Sequence, residues 1–278
     1  MSALGLPAAA LAAVCYGVAS VFQARAARSS AGSEHVDPRL LIRLATQIPY
    51  LIGLLLDLSG FGLSVLALRS LPLYVVQVIV ASNLAVTALV VAAVYHARLA
   101  RREWIAVGTV CAGLALLGVS AGKEGAQAGD IGMRSGLLAG TVVLGLMAAW
   151  LGHSSRKAPA ALLGAVSGLG FGAVALAART IPSFTPLRLV TDPAAWALAI
   201  GAAIGMLFFA TALQRGRVTT VTATMTVGET VVPSALGLAL LGDTIRHGSA
   251  PVIAIGFIVS LAGTLTLARF GDVPEEIK

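Results

Sequence analysis

Charged residues and cysteines are both scarce in this sequence of 278 residues. Only 11% of the residues are Asp, Glu, Lys or Arg, whereas 58% are apolar and the mean hydropathy is +0.92. Soluble domains carry about 25% charged and about 45–50% apolar residues, so this composition excludes an ordinary soluble globule. The two cysteines, Cys15 and Cys111, lie in separate apolar runs, which excludes a disulfide framework and a CxxC metal or redox site.

Residue clusters that perform catalysis are also lacking. The four histidines lie in loops or near the ends of apolar runs, and none belongs to an HExxH pattern. The segment Gly168–Gly172 has the glycine spacing of a nucleotide loop, but no strand precedes it and it lies inside an apolar run. We therefore expect no enzyme activity, no resident cofactor and no nucleotide binding.

Long apolar runs dominate what is present. A membrane-spanning helix needs about 20 apolar residues at a rise of about 1.5 Å each. The first run has no basic segment before it, so we expect a span and not a removable signal. The count is open by one, because the polar stretch Gly32–Arg43 has room for a short helix beginning near Leu40. The pattern predicts an all-α polytopic membrane protein with about nine transmembrane helices, at approximately 3–25, 46–68, 72–95, 104–121, 135–153, 159–179, 194–214, 218–241 and 250–269.

We attribute the net charge of +7 to basic cytoplasmic loops of a membrane protein and not to a nucleic-acid partner. Cytoplasmic loops of polytopic proteins carry an excess of Lys and Arg. With the N-terminus outside, thirteen of the 19 basic residues fall in inner loops. We expect a multi-pass protein of the plasma (inner) membrane, with its N-terminus outside and its C-terminus in the cytoplasm.

The two halves of the chain resemble each other. Ala8–Arg28 is similar in texture to Ala160–Thr180, and Leu63–Ala121 aligns with Phe208–Thr266 at an offset of 145 residues. Spans one to four then match spans six to nine, and the unmatched fifth span inverts the second half. Inverted repeats are a recurring architecture of secondary transporters. The expected divisions are a first repeat at 1–122, a connecting span with its loops at 123–157, and a second repeat with a short tail at 158–278.

Two carboxyl groups lie near the middle of predicted spans, Asp57 in span two and Glu229 in span eight. A charged side chain at this depth costs about 2.5 kcal/mol or more, and ionisable residues there are commonly functional. We expect Glu229 to contact the substrate or the coupling ion, with Asp57 assisting. The alternative is a protonated carboxyl that forms a hydrogen bond between helices.

Span eight carries a polar face beside Glu229. Pro233 lacks an amide hydrogen and clashes with the carbonyl four residues earlier, which belongs to Glu229. We therefore expect a helix kink at Pro233 that frees a backbone carbonyl near the carboxylate. Residues at steps of three and four share one helical face, and here they are Thr219, Thr222, Thr226, Glu229, Thr230 and Pro233.

Uncharged polar residues in two further spans are candidates for lining a pathway. They serve equally well as hydrogen-bonding groups between helices, and both interpretations stay open. These residues are Tyr16, Ser20 and Gln23 in span one, and Gln77, Ser82, Asn83 and Thr87 in span three.

The segment Val227–Asp243 resembles the end of an EamA-type repeat of the drug/metabolite transporter superfamily. In that family a Glu-Pro pair in the penultimate span is followed by a Gly-Glu at its end. Glu229 matches the first Glu, Asp243 replaces the second conservatively, and Thr230 stands where the family usually has proline. In the first half Leu84 occupies the place of the first Glu.

The expected nine spans and the segment Leu66–Pro72 resemble the span count and the second-to-third span junction of the NIPA-type magnesium transporters, a branch of the same superfamily. The membrane-embedded Glu of that branch would fall at Phe61, with Asp57 one turn earlier. The resemblance implies a secondary transporter of a small solute or metabolite. It leaves a Mg²⁺ transporter, with Glu229 and Asp57 as metal ligands, as an alternative.

A membrane scaffold, or a subunit that carries lipid-linked sugars, is a third interpretation. The expected partners are a small-molecule or cation substrate and the lipid bilayer, with a homodimer left open.

Overall fold

Every regular element that the structure describes is an α-helix. The computed structural model describes residues 4–30, 36–68, 76, 79–80, 82–94, 100–120, 130–154, 158–181, 190–240, 246 and 248–270. The helices are α1 (Gly5–Ser29), α2 (Arg39–Ala45), α3 (Ile48–Leu68), α4 (Asn83–Val94), α5 (Arg101–Ser120), α6 (Ile131–Ser154), α7 (Ala160–Thr180), α8 (Pro193–Arg215), α9 (Val218–Leu240) and α10 (Ala250–Phe270). The predicted all-α class is confirmed for these residues.

A helix occupies the place of each predicted span, although the third is described only as the shorter α4. By length and apolar composition, six helices of the described residues are able to cross a membrane. A seventh is added if α2 and α3, which meet at 88°, count as one bent span. The helix expected near Leu40 is present as α2. The helices are compatible with a multi-pass membrane protein, while the count of nine spans stays a prediction.

Small residues set the closest helix contacts. A β-carbon built on Gly113 of α5 would lie 2.8 Å from the carbonyl oxygen of Gly256 in α10. One built on Gly170 of α7 would lie 2.7 Å from the amide nitrogen of Gly205 in α8. Without side chains between them, the two backbones of each pair approach closely and gain van der Waals contact, as in membrane helix pairs generally.

Polar side chains secure several helix starts. Asp192 accepts a hydrogen bond of 2.9 Å from the amide of Ala194 at the start of α8, and Pro193 occupies the first helical position. The Asp192 carboxylate also pairs with Arg134 of α6 at 2.6 Å. At the start of α5, the Glu103 carboxylate accepts a hydrogen bond of 2.7 Å from the amide of Ala100. Each carboxylate satisfies an amide that has no partner within its own helix.

Large apolar side chains cover much of the outside of the helix bundle. Examples are Leu55, Phe61, Leu146, Trp150 and Leu265, each at least 63% exposed. A soluble monomer rarely exposes apolar surface on this scale. In a bilayer the same side chains face lipid without a hydrophobic penalty, which fits the membrane class.

Candidate functional site

The first part of the site joins α1 and α3. The side-chain amide of Gln23 donates a hydrogen bond of 2.6 Å to Oδ2 of Asp57. Gly53 permits this approach, because a β-carbon there would lie 2.7 Å from Cγ of Gln23. Asp57 therefore faces a neighbouring helix and not the lipid, near the middle of α3.

The aromatic ring of Tyr16 lies on the same helix as Gln23, about two turns earlier. A β-carbon on Gly60 of α3 would sit 3.1 Å from this ring. Tyr16 lies within electrostatic range of both Asp57 and Glu229, and Glu229 lies within electrostatic range of Asp57. Three predicted site residues, on α1, α3 and α9, are therefore within reach of one another's charges.

Glu229 lies near the middle of α9, at the place where α9 crosses α7 closely. A β-carbon on Gly168 would collide with the carbonyl oxygen of Met225 and lie 2.9 Å from the amide nitrogen of Glu229. Gly228 faces α7 in return, where a β-carbon would lie 3.0 Å from the carbonyl oxygen of Ala165. The helix that bears Glu229 is therefore packed backbone to backbone against α7.

Two threonines on the same helix are buried beside Glu229. Thr222 is 1% exposed and Thr226 is 5% exposed. In the described part of the chain neither hydroxyl oxygen has a hydrogen-bond partner, although buried threonine hydroxyls commonly bond back to their own helix. Residues 222, 226 and 229 share one face by their spacing. This face therefore offers two unpaired oxygens next to a carboxyl group.

Asn83 and Thr87 connect α4 to α1. The single hydroxyl hydrogen of Thr87 is shared between the carbonyl oxygens of Asn83 at 2.9 Å and Gly17 at 3.3 Å. Thr87 therefore bonds to its own helix and, through the longer contact, to α1. The side-chain Oδ1 of Asn83 differs, because it is buried and has no partner among the described residues.

The remaining predicted residues have separate outcomes. Gln77 and Asp243 lie outside the described residues. α9 continues as one helix past position 233, but the side chain of Pro233 is outside the description, so the kink stays a prediction. Across the described residues, no group of three or more His, Cys, Asp or Glu side chains is placed to hold a metal ion.

No family model, curated protein or solved structure matches the chain. The resemblance to the drug/metabolite transporter superfamily therefore stays a prediction.

A second polar cluster lies at one end of the bundle, which we name the Arg28 end. The Arg28 guanidinium of α1 donates a hydrogen bond of 2.8 Å to the carbonyl oxygen of Gly216, just after α8. In return the side-chain amide of Gln214 donates a hydrogen bond of 2.9 Å to the carbonyl oxygen of Ala27. These reciprocal bonds tie the ends of α1 and α8 together.

A buried ion pair lies at the same end. The Arg217 guanidinium, just before α9, pairs with the Glu103 carboxylate at the start of α5. The two side chains are 13% and 8% exposed. Residues 103 and 217 are far apart in the sequence and neither lies in a motif, so sequence reasoning missed this pair.

Sequence reasoning also missed the partnership of Gln23 with Asp57. It placed Gln23 on the polar face of span one but gave it no partner. The usable signal was the spacing of Gly53 and Gly60, which lie seven residues apart on the face that meets α1.

Proposed function

We propose that this chain is a secondary transporter of the drug/metabolite transporter superfamily, moving a small solute or metabolite across the plasma membrane. The substrate binds between Asp57 and Glu229, and the site opens alternately to the two sides. The observation that carries the proposal is that these carboxyl groups, which come from α3 and α9 and so from different halves, lie within electrostatic range of each other. Such residues are costly in a membrane and commonly mark substrate or ion pathways.

The packing of each half supports a repeated architecture. Gly60 of α3 lies against Tyr16 of α1, and Gly205, 145 residues later in α8, accepts a hydrogen bond of 2.8 Å from Ser167 of α7. Gly17 approaches α4 in the first half, much as Gly168 approaches α9 in the second. This packing supports a correspondence of α1, α3 and α4 with α7, α8 and α9.

Helix direction supports the inversion of the second half. At the Arg28 end α1 ends, whereas α7 begins there with Ala160 against Gly216. α5 begins at this end, because its residue Glu103 pairs with Arg217 there. α10 ends there, because the carbonyl oxygen of Leu267 accepts a hydrogen bond of 3.3 Å from Thr220 near the start of α9. Two similar halves of opposite orientation are able to exchange conformations around a central site.

The Arg28 end is the proposed cytoplasmic side. Arg28 and Arg217 lie at helix ends on this side. Arg43 lies there too, because its helix α2 packs against Ala26 near the end of α1. These positions agree with the excess of basic residues in cytoplasmic loops. Reporters fused to the two termini test this orientation. Opposite sides are expected, and a finding of both termini on one side would contradict the nine-span inverted repeat.

Reconstitution in liposomes tests the transport proposal. Wild type, Glu229→Gln and the control Asp130→Asn are compared with internal pH and Mg²⁺ reporters while candidate metabolites are added outside. Asp130 caps the start of α6 and is exposed, so its amide variant matches the chemical change away from the site. Proton movement that requires a metabolite and disappears only in Glu229→Gln is expected.

Other results of the same experiment decide between the alternatives. A Mg²⁺ flux that Glu229→Gln abolishes would favour the magnesium transporter, for which carboxyl and hydroxyl oxygens are suitable hard ligands. Glu229→Gln transport equal to wild type across a pH range would contradict the role of Glu229. No flux of any solute by folded wild type would favour the scaffold.

A further inference from the structure

The geometry points to a substrate class: we infer that the site between α1, α3 and α9 binds a small organic cation with a primary ammonium group. This inference rests on the proposed function, because it concerns the same site. It adds the charge of the substrate and the kind of hydrogen bonds that hold it.

The site presents two carboxyl groups at this depth. Asp57 and Glu229 lie near the middle of their helices and interact with each other. Within the described helices, Lys and Arg residues occupy the first or last two turns, as Arg28 in α1 and Arg215 in α8 do. Two neighbouring carboxylates in a membrane require a cation or protons to offset their charge. An anionic metabolite would add repulsion to this site.

The buried polar atoms without a partner on the helix segments described at this depth are oxygens. Thr222 Oγ1, Thr226 Oγ1 and Asn83 Oδ1 are buried without a partner in the described part of the chain. The Asn83 oxygen only accepts hydrogen bonds, and the threonine oxygens accept as well as donate. Buried acceptors without donors are costly. A ligand that supplies N–H donors offsets that cost, and an ammonium group supplies three.

An organic cation fits better than a bare metal ion. Mg²⁺ demands near-octahedral oxygen coordination and gives up its water reluctantly, whereas the described residues include no group of three metal-ligating side chains. Tyr16 adds an aromatic ring within electrostatic range of both carboxyl groups. Ammonium groups are attracted to the faces of such rings.

The Gln23 amide already occupies one oxygen of Asp57. The second Asp57 oxygen and the Glu229 carboxyl are therefore the charged groups that an ammonium would contact. The threonine face of α9 would accept its remaining N–H hydrogens.

Binding to purified protein in detergent tests this inference by titration calorimetry. The probes are propylammonium, the anion propionate, neutral 1-propanol and MgCl₂. The variants are Thr222→Val with Thr226→Val, and Thr109→Val as the control. Valine keeps the shape of threonine, and the Thr109 hydroxyl bonds to the Ile105 carbonyl of its own helix at 2.7 Å, away from the site.

Wild type and Thr109→Val are expected to bind propylammonium and none of the other probes. The double variant should bind propylammonium about tenfold or more weakly, since a hydrogen bond to a charged group is lost at each threonine. Circular dichroism spectra of all variants verify that they are folded. Binding of propionate or MgCl₂ at least as tight as propylammonium would overturn the inference, as would an unchanged double variant or no propylammonium binding.

Flux of the same probes into liposomes separates the two proposals. Propylammonium binding without flux of any solute would leave the cation site standing and contradict the transporter. Flux of an anionic or neutral metabolite that depends on Glu229, without propylammonium binding, would leave the transporter standing and overturn the cation site.

Discussion

The ion pair between Glu103 and Arg217 allows a quantitative prediction about stability. Both side chains are largely buried, at 8% and 13% exposure. Removing one partner of a buried pair costs about 3–5 kcal/mol, because the other charge stays buried without its counter-ion. Glu103 keeps its hydrogen bond from the Ala100 amide, so we expect Arg217→Gln to lower the free energy of unfolding by the lower end of this range, about 3 kcal/mol.

Equilibrium unfolding in mixed detergent and SDS micelles, followed by circular dichroism, measures this loss. The double variant Glu103→Gln with Arg217→Gln removes both charges together, so it should lose less stability than Arg217→Gln alone. Arg43→Gln is the matched control, because its ion pair with Asp37 is 41% and 28% exposed, and such pairs contribute about 0–1 kcal/mol.

Two results would refute the reasoning. A loss of stability in Arg217→Gln no greater than the loss in Arg43→Gln would mean that the Glu103 carboxylate is well solvated. A double variant that loses at least as much stability as Arg217→Gln alone would mean that the two charges do not stabilise each other.

Two further predictions concern helix packing and capping. Gly168→Ala should destabilise the fold by about 1–3 kcal/mol, because the new methyl group meets the Met225 carbonyl of α9. SDS unfolding compares it with the control Gly140→Ala, where no atom lies within 4 Å of the new methyl group. Equal stability of the two variants would contradict the prediction. Asp192→Ala should cost about 2 kcal/mol or more in the same assay, because it removes both the cap of Ala194 and an ion pair. Asp192→Asn keeps a capping oxygen and should lose less, so equal losses would argue against the cap.

The positions of the helices could be predicted from the sequence because apolar runs of about 20 residues have few alternatives in a bilayer. The run that begins at Ala160 starts α7 at that residue, and the polar stretch before Ile48 yields the short α2 and a sharp bend. The number of spans was harder to predict, because α2 and α3 meet at 88° and count either as one bent span or as separate elements.

The site could be predicted only as a set of candidate residues. Asp57 and Glu229 stand out as candidates because charge is costly in mid-membrane, and their role stays a prediction. Their partners were not, because the rotation of each helix about its axis depends on close glycine contacts such as Gly53 against Gln23. Periodicity assigns residues to a face, but it does not say which helix that face meets. Thr87 shows the difference, since it shares its face with Asn83 yet bonds to the α1 backbone.

The glycine crossings also assign the two acidic groups to different helix pairs. α7 packs backbone to backbone against α9 at Gly168, next to Glu229. α1 approaches α3 at Gly53, one turn before Asp57. In the proposed transport cycle, sliding of one pair past the other would change the distance between the two carboxyl groups. A bound cation would then be held where that distance is short and released where it is long.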